Sequence, residues 1–463
     1  MSVPSLRDDL QPALSGTVLL PGEEGYEHEL AGFNRIFEQR PSAVVAAADS
    51  ADVLTTVRHA AERNLPVAVQ STGHGVAVPS DGGVLISTAA MKGVHVDPAG
   101  RTARVEAGVR WGELLRRTAP FGLTGLNGAS PSVGTVGYVL GGGHGPLGRS
   151  YGYAADRVRG IELVTADGTW RRADPQRNPE LFWGMRGGKG NFGVVTSMEL
   201  ELFGVSRVYG GGLFLPGESA EAALRRWRDW THTVPDEMHS GIALVRFPQQ
   251  ATVPEPVRGR FAVHLRIAYN GPAAEGERLV RPLRGIAPAL LDTVTEMPYS
   301  RVGEIHMDPT EPGVYYERSA RLAELDDAAL SAVLELVGPD GDCPLPAVEL
   351  RHLGGALRRP PAHPNAVPYR EAAYTVFSGV PVAPHQRAEI ARHQQRLIEA
   401  VEPWRVGGPF LSFISAREND PDLVRSAYEP DTHERLTALK RSYDPDNLFR
   451  FNHNIPPSEA RAA

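Results

Sequence analysis

One histidine lies in a run of small residues that suits a phosphate-bearing cofactor. His74 follows Ser71-Thr72-Gly73 and precedes Gly75, after residues typical of a helix end and a buried strand. Loops of Ser, Thr and Gly after a strand expose backbone N–H groups, which bind a pyrophosphate well. The imidazole has no partner within this run. The combination predicts a cofactor held close to His74, and a covalent bond is one way to hold it.

Hydrolase and metal chemistry have little support elsewhere in the chain. The segment Gly128-Ala129-Ser130-Pro131-Ser132 breaks the GxSxG motif at its last position. No HxxxH or HExxH spacing occurs, and carboxylates do not cluster around His144, His352 or His453. We therefore expect no metal site.

The densest glycine region covers residues 125–152 and contains Gly143-His144-Gly145-Pro146-Leu147-Gly148, which formally matches GxGxxG. A Rossmann loop needs a helix that begins there and presents its N-terminus to the phosphates. Here Pro146 and residues 149–152 follow without a helical apolar period, which disfavours that fold. Close approach of the backbone to a flat ligand or a phosphate explains the glycines better, and turn formation is the alternative.

Composition limits the class of protein. The chain has 463 residues and a formal net charge of −7, which gives no basic footprint for nucleic acid. Cys343 is the single cysteine, so an intramolecular disulfide and a cysteine-based metal site are excluded. No apolar run approaches the ~20 residues of a membrane span. The first 21 residues lack a basic segment followed by an apolar stretch, so we expect no signal peptide and a cytoplasmic protein.

The elements that must position His74 fall into two groups. Before residue 205, Asp49-Ser50 precedes a helical apolar stripe, and turns at 98–100 and 167–168 predict two hairpins. After Phe203, apolar periodicity predicts helices at 218–231, 273–283 and 385–401 and strands at 241–247, 261–269, 347–350 and 374–378. A further helix is predicted at 432–443. We expect domains at 1–205 and 206–417, with 418–463 returning to the first, and an α+β fold.

Several short motifs in one order identify a resemblance. They are Ser71-Thr72-Gly73-His74, Pro131-Ser132-Val133-Gly134, Leu140-Gly141-Gly142-Gly143-His144-Gly145, Tyr151-Gly152-Tyr153-Ala154-Ala155-Asp156, Arg186-Gly187-Gly188-Lys189-Gly190-Asn191-Phe192-Gly193 and Asn452-His453-Asn454-Ile455. The chain resembles the FAD-linked oxidases of the berberine bridge enzyme type, within the vanillyl-alcohol oxidase/p-cresol methylhydroxylase (PCMH) superfamily. The match covers about residues 36–205 and 430–457. It implies a two-part FAD-binding domain of the PCMH type and an antiparallel-sheet substrate domain covered by helices.

The resemblance also implies roles for individual residues. His74 falls where the family attaches the flavin 8α-methyl group to a histidine nitrogen. Ser130 stands where some members carry a second, cysteine anchor, so a single covalent bond is expected. Val133 matches a position beside the flavin that governs oxygen access. The other residues expected to bind FAD are Ser71, Thr72, Gly73, Gly75, Ser132, Gly134, Gly137, Gly141, Gly142, Gly145, Gly193, Val195, Asn452 and Asn454.

One departure from the family bears on the catalytic base. Carbohydrate and alcohol oxidases of this group often use the tyrosine of a Tyr-x-Asn strand before the C-terminal helix. The matching stretch here is Phe410-Leu411-Ser412-Phe413, and Phe410 cannot take a proton. If a base is needed, the candidates are Tyr374, Glu349 and His453, although Tyr374 and Glu349 taken singly are more commonly structural.

Three functions stay open from the sequence. The first is an oxidase of a small organic molecule, of the kind found in secondary metabolism, which passes a hydride to flavin N5 and electrons on to O₂ to form H₂O₂. The second is a histidyl-flavin oxygenase of polyketide-type maturation, for which Thr135 and Leu140 would shape an oxygen pocket. The third is a flavin-binding protein without turnover. The expected partners are a small substrate and O₂, with a homodimer as one possibility and neither nucleic acid nor membrane.

Overall fold

The computed structural model describes residues 6–341 and 343–457. A first sheet contains β1 (Thr17–Leu19), β2 (Ala43–Ala46), β3 (Val67–Gln70) and β4 (Val84–Ser87) in the order β1-β2-β4-β3. The strands β2, β4 and β3 are parallel. The helices around this sheet are α1 (Leu6–Leu10), α2 (Tyr26–Leu30) and α3 (Ser50–Glu62). The predicted N-cap is confirmed, because the Asp49 carboxylate accepts hydrogen bonds from the first backbone N–H groups of α3.

A second, antiparallel sheet contains both predicted hairpins. Its strands are β5 (Val94–Asp97), β6 (Thr102–Glu106), β7 (Val158–Val164), β8 (Trp170–Ala173) and β9 (Val194–Glu201), in the order β5-β6-β9-β7-β8. The helices α4 (Trp111–Thr118), α5 (Thr135–Leu140), α6 (Gly148–Tyr151) and α7 (Pro179–Met185) lie in its connections. A helix rather than a strand precedes the Gly143–Gly148 segment, so that segment is not a Rossmann loop.

The third sheet is the largest. Its strands are β10 (Arg207–Pro216), β11 (Met238–Arg246), β12 (Phe261–Tyr269), β13 (Leu291–Asp292), β14 (Thr295–Pro298), β15 (Tyr315–Leu322), β16 (Ala347–His352) and β17 (Tyr374–Pro381). The order is β13-β10-β12-β11-β16-β17-β15, and β14 also pairs with β10. The helices α8 (Ala220–Thr231), α9 (Ala273–Arg284), α10 (Asp327–Val337) and α11 (Arg387–Ala400) share one apolar core with one face of the sheet. The strands β10 and β15 and the helix α10 were not predicted.

Alternation along these strands gives the third sheet two different faces. Val263, Leu265, Val348 and Leu350 belong to the core under the helices. Successive strand residues point to opposite faces, so the residues between them point away from the helices. We call this the open face of the third sheet; it faces the glycine-rich segment of the FAD-binding region, where the His144 and His239 rings lie 5.4 Å apart.

The C-terminal residues pack against the loop that precedes β9. The helices α12 (Pro421–Ser426) and α13 (Pro430–Tyr443) lead into an extended tail. The Asn191 side chain donates to the His453 carbonyl and accepts from the Ile455 N–H group. The α+β fold class is thus confirmed. In the described residues, no helix is both long and apolar enough to cross a membrane.

Candidate active site

The His74 imidazole is held on two edges and one face. Gly73, at φ +66°, turns the chain out of β3. Contrary to the expectation from the sequence, the imidazole has a partner within its own run: Nδ1 of His74 lies 2.8 Å from the Thr72 hydroxyl. Nε2 lies 3.2 Å from the Ser132 hydroxyl. Phe33 stacks on the ring at a centroid distance of 4.1 Å. The histidine therefore has a defined orientation before any ligand is considered.

This environment keeps the imidazole neutral. Burial, and then the positive charge of Arg110, lower the pKa of His74 to about 4. At neutral pH the ring therefore carries an unprotonated nitrogen, which is the form able to attack an electrophilic carbon.

The predicted second-anchor position lies beside His74. Ser130 Oγ is 2.8 Å from Ser132 Oγ, which in turn contacts His74. Thr72 Oγ1 also accepts a hydrogen bond from the Gly134 N–H group. The structure thus brings residues 71–75 and 130–134 together.

The residues around His74 fit a bound FAD. Ser71 Oγ and Thr135 Oγ1, next to these two loops, and Asn452 Oδ1 and Asn454 Oδ1, in the C-terminal tail, are buried without a hydrogen-bond partner. Buried polar atoms are rarely left unpaired, so these atoms indicate a polar ligand. Val69 is 47% exposed on a strand whose other residues are buried. A side chain added at Gly75 or Gly137 would enter open space.

The other glycines expected at the cofactor pack against protein. A Cβ atom on Gly145 would lie 1.8 Å from the Asn127 carbonyl oxygen, and one on Gly193 would lie 2.6 Å from the Val164 oxygen. A Cβ atom on Gly141 would lie 3.2 Å from the Leu411 carbonyl oxygen and one on Gly142 would lie 3.3 Å from Val367 Cγ2, which are tight contacts, and Gly142 also has φ +100°. Val195 lies in the apolar core. These contacts account for small residues at the four positions without a ligand.

The three candidate bases lie in different places. Tyr374 points to the helix side of the third sheet, where its hydroxyl lies 2.7 Å from Thr231 Oγ1, and this position favours a structural role. The Nε2 atom of His453 donates to the Ser415 carbonyl at 2.8 Å, while burial, and then Lys189, lower the pKa of His453 to about 3. Glu349 alone of the three lies on the open face of the third sheet.

Glu349 is the centre of a buried charged group. Its Oε2 atom lies 2.7 Å from both Arg266 Nη1 and Arg351 Nη2, and its Oε1 atom lies 3.7 Å from His306 Nε2. Burial would raise the pKa of Glu349, but the two arginines and then His306 hold it well below its usual range. Glu349 is therefore a weak base, and its geometry suits it to positioning the arginines.

Sequence reasoning missed the neighbours of Glu349 on the open face. His239, Arg266 and Arg351 come from β11, β12 and β16, which are neighbours in the sheet. The available signal was the pair of polar residues two positions apart within an apolar strand: His264 with Arg266, and Glu349 with Arg351.

Phe410 places a buried apolar ring beside His144. It is 1% exposed, and its ring centroid lies 6.2 Å from that of His144 and 5.6 Å from that of Phe413. Both ring nitrogens of His144 are buried without a partner. Burial, and then His239, keep the pKa of His144 well below its usual value, so that it is a neutral side chain.

Comparisons with known proteins agree with this geometry. Residues 41–174 match the family model of an FAD binding domain, and residues 413–456 match the model described as "Berberine and berberine like". The chain is 30% identical to (R)-6-hydroxynicotine oxidase of Paenarthrobacter nicotinovorans over 461 residues, which cover 96% of this chain and 97% of that protein.

Two solved structures have the same fold. The crystal structure of 6-hydroxy-D-nicotine oxidase from Arthrobacter nicotinovorans superposes with a TM-score of 0.82 at 26% identity, covering 99% of this chain and 100% of that one. Xylooligosaccharide oxidase from Myceliophthora thermophila gives a TM-score of 0.83 at 21% identity over 99% and 100% of the two chains, which shows the fold alone. The chain is therefore an enzyme and belongs to the FAD-linked oxidases of the berberine bridge enzyme type, within the PCMH superfamily.

Proposed function

We propose that this enzyme oxidises a small organic molecule of secondary metabolism with O₂ as the electron acceptor, and that His74 is the sole covalent anchor of its FAD. The neutral His74 imidazole beside Ser132 carries the proposal. Ser130 supplies a hydroxyl where a second anchor would need a thiolate.

Bound FAD would accept a hydride at N5 and pass electrons to O₂, giving H₂O₂. The residues that would hold it are Ser71, Thr72, Gly75, Gly137 and Asn452. Ser71, Thr72 and Asn452 would contribute hydroxyl and amide groups, and Gly75 and Gly137 would leave open space for the cofactor.

The open face of the third sheet would bind the substrate. Glu349 holds two arginines in fixed positions, and Phe410 with Phe413 excludes water from the same region. Burial disfavours the protonated forms of His144 and His239, so both imidazoles are uncharged and are weak bases. The arginines would therefore orient the substrate among neutral imidazoles.

Acid precipitation of the purified yellow protein tests the anchor. We expect the flavin to stay with the pellet in the natural protein and to appear in the supernatant for His74→Ala. The Ser130→Ala variant is the matched control, because it alters the same loop and should retain the flavin. Free flavin from the natural protein would refute the covalent bond.

Oxygen isotopes test the reaction. An oxidase releases about one H₂O₂ for each substrate turned over and leaves ¹⁸O from ¹⁸O₂ out of the product. Labelled product with little peroxide would instead assign the chain as an oxygenase. A flavin that no metabolite bleaches would assign it as a binding protein.

A further inference from the structure

The open face of the third sheet carries buried polar atoms that lack partners. They are His144 Nδ1 and Nε2, His239 Nδ1, His306 Nδ1, Glu349 Oε1 and Arg351 Nε. Each parent residue is at most 3% exposed, so water does not satisfy these atoms from the surface. A cluster of orphaned polar atoms in an enzyme core indicates a site for a polar ligand.

The two arginines of the cluster differ in which of their N–H donors already have a hydrogen-bond partner. Arg266 uses all three nitrogens: Nη1 binds Glu349, Nε donates to His264 Nδ1 at 3.4 Å, and Nη2 donates to the His306 carbonyl at 3.3 Å. Arg351 binds Glu349 through Nη2 and keeps an unpartnered Nε–H. A guanidinium has no acceptor atom, so only an acceptor from the ligand can satisfy this group.

The groups around Arg351 leave its free donor for an acceptor of the ligand. One carboxylate, Glu349, is shared between two guanidinium groups, and the surrounding histidines are neutral. Asp308, which is partly buried, also faces the arginines, and burial raises the pKa of its carboxyl. The Tyr138 hydroxyl also faces Arg351; burial raises its pKa, so it carries no charge. An acidic oxygen is the acceptor that binds a guanidinium N–H most strongly.

Aromatic rings set the shape of the space next to Arg351. The guanidinium carbon lies 4.9 Å from the Phe413 ring centroid and 5.7 Å from that of Phe377. These two rings lie 4.6 Å apart. Flat aromatic walls on a cation suit a planar ligand.

The cluster adjoins the loop that contacts His74. A methyl group on Gly303, three residues before His306, would lie 2.6 Å from Pro131 Cγ. Pro131 separates Ser130 from Ser132, and Ser132 contacts His74. The segment that carries His306 therefore packs against the loop that contacts His74.

We propose that the substrate is a planar molecule with an acidic oxygen, a carboxylate or an ionised phenol or enol, and that Arg351 binds this oxygen through Nε. The inference rests on the proposed function, since it places the substrate on the open face of the third sheet. It makes Arg351 the residue that selects acids over neutral analogues of the same shape.

Titration calorimetry on the holoenzyme tests the inference without turnover. The probes are benzoate, 2-naphthoate and 4-nitrophenolate, each compared with a neutral partner: benzamide, 2-naphthamide and nitrobenzene. We expect at least one acid to bind about ten- to a hundredfold tighter than its partner, as a charge-assisted hydrogen bond predicts. Comparing the two carboxylates with the phenolate shows which acidic oxygen the site prefers, that of a carboxylate or that of an ionised phenol.

Variants of Arg351 locate the preference. Arg351→Gln should remove the preference for acids, and Arg351→Lys should retain part of it because the charge stays. Arg207→Gln is the control, since Arg207 is the first residue of β10 in the same sheet and half of its side chain is exposed. If Arg351→Gln does not fold, the lysine variant and the acid–amide comparison in the natural protein decide.

The possible failures are distinguishable. Equal binding of acids and neutral partners, or a preference that survives in a folded Arg351→Gln protein, would overturn the acidic-oxygen site while the peroxide assay still supported an oxidase. Tighter binding of the acids than of their neutral partners, without peroxide formation, would support the acidic-oxygen site and overturn the proposed oxidase reaction.

Discussion

Phe33 stacks on the imidazole of His74 with the two ring planes only 7° apart. Tyr315, the first residue of β15, stacks on Phe33 with the two ring centroids 5.0 Å apart. Asn34 fixes this arrangement, because its side chain donates to the Tyr315 carbonyl and accepts from the Tyr315 N–H group. The orientation of the proposed anchor thus depends on a residue of the third sheet.

Replacing Phe33 should slow flavin attachment. In Phe33→Ala the imidazole loses its stacked ring, which is worth about 0.5–1.5 kcal/mol, so we expect attachment about two- to tenfold slower. The measurement is the time course of acid-stable flavin after FAD is added to the apoprotein. Tyr315→Phe keeps the ring and should match the natural protein. Unchanged kinetics in Phe33→Ala would show that Thr72 and Ser132 suffice to orient His74.

Stability should fall as the pH drops below about 6.5, the ordinary pKa of histidine. Burial is the main cause that lowers the pKa of His239 and His453 to about 3 and of His352 to about 2. In the unfolded chain these histidines therefore bind protons near pH 6.5. In the folded chain they bind protons only near pH 3 or below. Each such histidine lowers the free energy of unfolding by about 1.4 kcal/mol per pH unit over this range. Urea titrations between pH 7 and 5 measure the slope.

One histidine allows a clean version of this test. His352 accepts a hydrogen bond from Arg149 through Nε2, and a glutamine oxygen can replace that acceptor. His352→Gln should reduce the slope by about 1.4 kcal/mol per pH unit. The exposed His363→Gln should leave it unchanged, because that side chain is in water in both states. Equal slopes in all three proteins would mean that carboxylates dominate the acid response.

A buried ion pair holds the C-terminal tail. Lys440 and Asp444 are fully buried, and Nζ of Lys440 also donates to the carbonyls of Asn191 and Phe449. Lys440→Met leaves a buried carboxylate unpaired and should cost about 3–5 kcal/mol of unfolding free energy.

Two companion variants check the origin of that cost. Lys440→Met combined with Asp444→Asn should be less damaging than Lys440→Met alone, because no charge stays buried without a partner. Arg301→Gln breaks an exposed pair with Glu304 and should cost less than about 1 kcal/mol. A double variant as unstable as the single one would attribute the loss to packing.

Two glycines separate folding from cofactor binding. Gly145→Ala forces a Cβ atom against the Asn127 carbonyl and should yield little folded protein. Gly137→Ala adds a methyl group in open space on α5, so the fold should persist while FAD affinity falls. Thermal unfolding measures the first effect and flavin content per folded protein the second. Full flavin content in Gly137→Ala would place the cofactor away from α5.

The sequence was informative wherever a short segment determines its own structure. The Asp49 cap, the hairpin turns at 98–100 and 167–168 and the helices α8, α9 and α11 are local patterns, and the structure confirms them. The His74 loop was also recognisable, because small residues and one imidazole occur together. The strand β10 was missed, since Gly210-Gly211-Gly212 interrupts the alternation that identifies a strand.

The substrate side of the site could not be predicted in the same way. Arg266 and Arg351 are 85 positions apart in the sequence, and only the pairing of β12, β11 and β16 brings them to one carboxylate. Tyr374 was a candidate by residue type alone, but a side chain's face depends on strand register, which sequence did not supply.

One face of the third sheet packs into the core under the helices, and the other face forms the proposed substrate site. Leu350 packs under the helices, whereas its neighbours Glu349 and Arg351 face the proposed substrate. Mutational libraries at the outward positions would therefore sample new specificities while the helix-packed core keeps its composition.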